Sequence, residues 1–261
     1  MIMPRAQQRP GEWKYQPQSL ADQRIIVTGG TTGIGRTTAL LLLSLGARVC
    51  IFGRDERHLE DAREQMDEYR NHLVSLTADQ SDEQDIDRVF RTMDDQLGGI
   101  DALINNAGLP ARSIDQMDPE VYRYIIESNL VGYIACAKRA LPRLKQTGQG
   151  TIVNIGSMSA KGRAPGEDVY VATKSGLRGF SDSLAKSAAA DNIRVTLIEP
   201  GSTGSDLDEN RPPEQERRMH DAGEMLFSEA IAEATAWCLA QPQHVFVPLL
   251  QVQPLGEVSE M

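Results

Sequence analysis

The stretch RIIVTGGTTGIGRTTALLLLSL, Arg24 to Leu45, decides the fold. Ile25 to Val27 is a short strand-forming run, and Ile34 to Leu45 carries the apolar spacing of a helix. Between them lies the glycine-rich turn TGGTTGIG, Thr28 to Gly35. Glycines permit a tight turn and let the backbone approach a pyrophosphate closely, and the amide-rich start of a helix favours that negative charge. A glycine-rich turn by itself is equally well tight packing. Between a strand and a helix it reads as a nucleotide cradle, offered by Gly29, Thr31, Thr32, Gly33, Ile34 and Gly35.

From there the alternation repeats. Arg48 to Phe52, Leu73 to Leu76, Ala102 to Ile104, Thr151 to Ile155, Arg194 to Ile198 and Val245 to Leu249 read as further strands. Helical patterns fill the intervals at Glu56 to Tyr69, Glu83 to Leu97, Pro119 to Gln146, Tyr170 to about Ala190, and Ser228 to Leu239. A polar excursion, Gly201 to Gly223, precedes the last helix. Repeated β-α units predict a doubly wound α/β fold, a parallel sheet with helices on both faces. A chain of 261 residues suits one such domain, over residues 23–261. Residues 1–22, rich in Gln and Pro, read as a flexible arm with Trp13 or Tyr15 as its candidate anchor.

Bulk properties exclude several classes. A net charge of -10 argues against nucleic acid or an anionic membrane as partner, because both recruit clustered cations. No apolar run reaches spanning length and the arm lacks the apolar core of a signal peptide, so a cytoplasmic protein is expected. Cys50, Cys136 and Cys238 stand far apart without metal-ligand spacing; they read as buried reduced thiols, and no metal is expected. The four His are scattered, and Ser157 is not in a G-x-S-x-G turn, which leaves a Ser-His-Asp hydrolase without support.

Ligands of a doubly wound sheet sit beyond the carboxyl ends of its strands. The second strand ends IFGRD, where an acid would hold the ribose hydroxyls of NAD. Here Gly53 leaves room, and the Arg54 guanidinium suits a 2′-phosphate, which favours NADP(H) over NAD(H). A solvated surface Arg, or a salt bridge from Arg54 to Asp55 or Glu56, is the plainer alternative. Asp79, after the third strand, is a candidate acceptor for the adenine amino group, or simply a turn carboxylate. The fourth strand leads into NNAG, Asn105 to Gly108, whose Asn106, Ala107 and Gly108 can pack beside a ribose and brace the sheet. The sixth leads into EPGSTGSD, where Pro200 and Gly201 bend the chain and Thr203 and Ser205 offer donors.

The fifth strand delivers Ser157, and YVATK follows thirteen residues on. On a helix Tyr170 and Lys174 share one face a turn apart. The ammonium is therefore expected to favour the ionised phenol and to draw its pKa down toward the working range.

In this order and at these spacings the motifs resemble the classical short-chain dehydrogenase/reductase family, from Arg24 to Pro248. They are TGxxxGxG at Thr28, Gly29, Gly33 and Gly35, then NNAG, Ser157, YxxxK and Pro200-Gly201, with Asn129 after IIES. The resemblance implies a Rossmann fold and hydride transfer between a nicotinamide cofactor and a carbonyl or secondary alcohol. Tyr170 would be the general acid/base, Ser157 would polarise the carbonyl, and Lys174 would hold the nicotinamide ribose. Asn129 would support a water that passes protons to Lys174. Thr203 would meet the carboxamide, with Ser205 nearer the pyrophosphate. The closing segment is similar to the branch of NADP-dependent 3-hydroxy acid dehydrogenases and small carbonyl reductases, although Pro248 stands where a ladder donor is expected. An NAD-linked alcohol dehydrogenase and a non-catalytic nucleotide-binding regulator are the alternatives. Ser157, Arg163, Asp206 and Leu207 are the candidate substrate-facing residues. A homotetramer, or a homodimer, through the helices around Asn129 and Tyr170 is the expected assembly.

Overall fold

Ile25 and Val27 face one side of their strand and Ile26 the other, and all three are fully buried. Such a strand must lie inside a sheet covered on both faces. The computed structural model describes residues 15–204 and 212–258. The chain runs β1 (Arg24–Thr28), α1 (Gly33–Ser44), β2 (Arg48–Gly53), α2 (Glu56–Gln65), β3 (Leu73–Thr77), α3 (Glu83–Leu97) and β4 (Ala102–Asn105). Next come α4 (Pro119–Ile126), α5 (Gly132–Thr147), β5 (Gly150–Ile155), α6 (Ser159–Gly162), α7 (Asp168–Ala188) and β6 (Ile193–Pro200). After them lie α8 (Pro213–Asp221), α9 (Ser228–Leu239), β7 (Leu249–Val252) and α10 (Leu255–Val258).

All seven strands pair in parallel in the order β3-β2-β1-β4-β5-β6-β7. The order reverses at β1, whose Ile25 lies between Val49 of β2 and Ala102 of β4. That reversal opens the crevice where a doubly wound sheet takes its ligand. On one face Leu42, Leu59 and Ile231 of α1, α2 and α9 cover Val27, Ile51 and Ile104. On the other, Phe90, Cys136 and Ala188 of α3, α5 and α7 cover Ile26, Phe52 and Leu103.

Three expectations need correction. The last strand is Leu249–Val252, not Val245 to Leu249. Pro248 has no N–H to give, so its carbonyl accepts from the Leu197 amide at 3.0 Å and the ladder starts one residue later. The helix expected over Pro119 to Gln146 is two helices joined by a π-turn at Glu127–Val131. The polar excursion after Gly201 contains α8.

The described part of the arm is tied down. The Gln18 amide donates to the Ala240 carbonyl at 2.7 Å, the Tyr15 hydroxyl donates to Gln241 Oε1, and Leu20 is buried. Trp13 lies outside the described residues. Among the described residues no helix is long and apolar enough to cross a membrane. Burial pushes the free thiols of Cys50 and Cys136 up to about 12 and that of Cys238 up to about 11.

Candidate active site

Every strand end that the sequence marked lies on one edge of the sheet, so the site follows the strand order. At its centre the glycine-rich turn and the NNAG turn are stitched together. Thr28 Oγ1 accepts the amides of Asn106 at 3.0 Å and Ala107 at 2.9 Å. Asn106 Nδ2 donates back to the carbonyls of Thr28 at 3.0 Å and Gly29 at 3.2 Å. Gly29 has a left-handed φ of 62°, and a Cβ there would stand 2.7 Å from Ala107 Cα. A Cβ on Gly35 would overlap the Gly29 carbonyl oxygen and Asn106 Nδ2. Asn106 and Ala107 therefore brace the cradle.

The cradle suits an anion. Thr32 is the N-cap of α1, yet its side chain makes no capping bond, and the first turn holds no acidic residue. Arg36 Nε donates to the Thr31 carbonyl at 2.6 Å and brings a cation to the same turn. A helix start whose N-cap Thr32 gives no side-chain cap and whose first turn carries no acidic residue, beside the left-handed Gly29, fits the pyrophosphate of a dinucleotide.

Beyond β2 and β3 stand Arg54 and Asp79. No carboxylate among the described residues forms an ion pair with Arg54. Asp55 caps α2 and pairs with Arg57 at 3.2 Å, while Glu56 is taken by Arg63 and Thr77. Arg54 Nη1 instead donates to the Tyr124 hydroxyl at 2.9 Å, and that hydroxyl donates to Asp79 Oδ2 at 2.6 Å. Burial raises the Asp79 carboxyl, but hydrogen bonds from Tyr124 and Ser81, then the Arg54 charge, hold it below the usual range. Gly53 does more than leave room, because a Cβ there would collide with Thr31 Oγ1.

Beyond β5 the catalytic candidates meet. Lys174 is buried, and its ammonium donates to the Ile155 carbonyl at 3.0 Å. It lies 5.6 Å from the ring centre of Tyr170 and 5.4 Å from that of Tyr133. Burial lowers Lys174 from 10.5 to about 8. The Ser157 hydroxyl accepts the Ser159 amide at 3.1 Å and is hydrogen-bonded to Tyr170. The expected depression of Tyr170 is not found. Burial pushes the phenol above 10, the Ser157 bond works against that shift, and the Glu167 carboxylate adds to it. Lys174 is aimed at a carbonyl and is itself desolvated, so it does not outweigh burial.

Asn129 sits on the π-turn, fully buried. Its Oδ1 accepts the Leu109 amide and its Nδ2 donates to the Leu109 carbonyl, both at 2.8 Å. It thereby fixes the chain after Gly108, where a Cβ would stand 3.7 Å from Asn129 Oδ1 and 3.8 Å from Lys174 Nζ.

Beyond β6 the Pro200 carbonyl accepts the Met158 amide at 2.8 Å, Gly201 bonds back to Val252, and Thr203 bridges to Leu226. The candidates Ser205, Asp206 and Leu207 lie outside the described residues. Arg163 is exposed at the end of α6 with a left-handed φ of 54°. Tyr124, Tyr133 and Arg36 complete the site without any sequence signal of their own.

Comparison with known proteins identifies the family. Residues 23–216 match the short chain dehydrogenase family. The chain is 36% identical over 231 residues to "Carbonyl reductase family member 4" of Xenopus laevis, covering 85% of this chain and 94% of that protein. It is 28% identical over 237 residues to an uncharacterized oxidoreductase of Staphylococcus aureus, covering 90% and 99% of the two chains. The crystal structure of 3-ketoacyl-(acyl-carrier-protein) reductase from Brucella melitensis complexed with NADH is similar with a TM-score of 0.81. That similarity has 26% identity and covers 90% of this chain and 98% of the reductase. By its sequence and its seven-stranded fold, the chain belongs to the short-chain dehydrogenase/reductase family of NAD(P)-dependent oxidoreductases.

Proposed function

We propose that the protein is an NADP(H)-dependent carbonyl reductase in which Tyr170 is the proton donor. The observation that carries this reading is the meeting of Ser157, Tyr170 and Lys174 beyond β5, on the edge that also bears the dinucleotide cradle. The bound cofactor supplies the hydride. The protein's part is to hold a carbonyl oxygen and deliver one proton to it. The Ser157 hydroxyl accepts from the Ser159 amide and bonds to Tyr170, and its hydrogen would turn from the phenol to the substrate oxygen to stabilise the developing charge. Tyr170, raised by burial, keeps its proton at neutral pH and yields it to an alkoxide, a far stronger base than a phenolate. Lys174 faces the phenolate that this transfer leaves. Its own readiness to lose a proton near pH 8 suits it to pass one on.

For NADP(H), the support is that no carboxylate among the described residues forms an ion pair with Arg54, whose Nη1 donates to the Tyr124 hydroxyl. NAD(H) is the second reading, favoured by the NADH in the Brucella reductase. The relatives' names suggest a ketone or a 3-oxoacyl thioester as substrate. Assembly as a homotetramer is part of the proposal, supported by exposed Val131 and Ile134 at the start of α5. The cytoplasm is the compartment we assign, with three reduced buried thiols in support. The test follows NADPH and NADH absorbance against aldehydes, ketones, 3-oxo acids, 3-oxoacyl thioesters and quinones. Oxidation of NADPH by one carbonyl class is expected; faster oxidation of NADH by that class would give preference to the second reading.

A further inference from the structure

Arg54 is exposed at the end of β2, on a side chain with several free rotors. An unrestrained cation so near the Asp79 carboxylate would fold onto it and form an ion pair, cancelling the charge that a phosphate needs. The structure has a different arrangement. The Tyr124 hydroxyl stands between the two, accepting from Arg54 Nη1 at 2.9 Å and donating to Asp79 Oδ2 at 2.6 Å. The Tyr124 ring also lies under the guanidinium, 5.4 Å from its carbon to the ring centre. One of five guanidinium donors is spent on Tyr124, which leaves enough for a two-point contact with a phosphate monoester. Asp79 Oδ1 takes the amide and hydroxyl of Ser81, so the carboxylate is fixed from both sides.

We propose that Tyr124 is a positioning residue for cofactor choice, holding Arg54 off Asp79 and poised for the 2′-phosphate of NADP(H). The inference rests on the reading of Arg54 as the phosphate contact. It makes a helix, α4, that leads into the π-turn of Asn129 also a determinant of the adenosine end.

The test is calorimetric titration of NADP+ and NAD+ into the wild type, Tyr124→Phe, Tyr124→Leu and Arg54→Ala. Tyr124→Phe keeps the ring and loses the hydroxyl; it is expected to weaken NADP+ about 3- to 10-fold and to change NAD+ less than 2-fold. Tyr124→Leu loses the ring as well and is expected to weaken NADP+ further. Arg54→Ala is expected to weaken NADP+ at least as much as either, and adding Tyr124→Phe to it should cost nothing more. Equal weakening of NADP+ and NAD+ in both Tyr124 variants, or no change in either, overturns the role of Tyr124 while Arg54 stands. Unchanged NADP+ binding in Arg54→Ala overturns the reading of Arg54 and the inference with it.

Discussion

Lys174 gives the sharpest prediction about how the site is built. Its ammonium is buried, and it holds its proton only up to about pH 8, against 10.5 for the residue in water. The native pKa is the lower one, so between these values the unfolded chain binds the proton and the native chain does not. Stability therefore rises with pH across that window. The depression corresponds to roughly 3 kcal/mol of destabilisation at pH 7, of which about 2 to 3 kcal/mol is recovered by pH 10. Lys174→Met removes the titrating group and keeps most of the volume. Loss of the bond to Ile155 costs about 1–3 kcal/mol at every pH and cancels when two pH values are compared. Urea unfolding of both proteins at pH 7 and pH 10, at one fixed protein concentration, reads the difference. The wild type should gain about 2 to 3 kcal/mol on the variant over that interval. A difference flat with pH would refute the reasoning, because it would mean that Lys174 keeps its proton as an exposed lysine does.

The remaining predictions concern the cradle, the π-turn and the thiols. Gly35→Ala places a Cβ on the Gly29 carbonyl and Asn106, so it should cost about 1–3 kcal/mol in thermal or urea unfolding and weaken dinucleotide binding at least tenfold. Asn129→Asp loses the donor to the Leu109 carbonyl and buries a charge beside it. Urea unfolding should show a loss of about 3 kcal/mol at neutral pH, shrinking as the pH falls and the new carboxyl protonates. Cys50, Cys136 and Cys238 should resist a thiol reagent at pH 8 in the native protein and all react in denaturant, because burial keeps their thiols protonated.

The first six strands and the Tyr170–Lys174 pair were legible because their signals are local. An apolar run, a glycine turn and a Tyr-Lys pair four residues apart each fit within one window of sequence. What stayed hidden depends on distance or burial. Tyr124 meets Arg54 across 70 positions and Asp79 across 45, and nothing in the sequence links them. Tyr133 reads as an ordinary core aromatic until its ring appears beside the Lys174 ammonium. The π-turn at Asn129 hides in an unbroken helical pattern, since one extra residue in a turn leaves the apolar periodicity nearly intact. The YVATK spacing shows that Lys174 and Tyr170 share a face, but the burial that raises the phenol is a property of the packed site.

The central claim is that Tyr170 delivers the proton while other residues hold the cofactor. The most direct measurement compares wild type and Tyr170→Phe on one carbonyl substrate, with NADPH consumption and NADPH binding followed side by side. The account predicts that Tyr170→Phe loses at least about 100-fold in turnover while binding NADPH nearly as well as the wild type. Turnover that survives the substitution would contradict it and would place the proton donor elsewhere in the site.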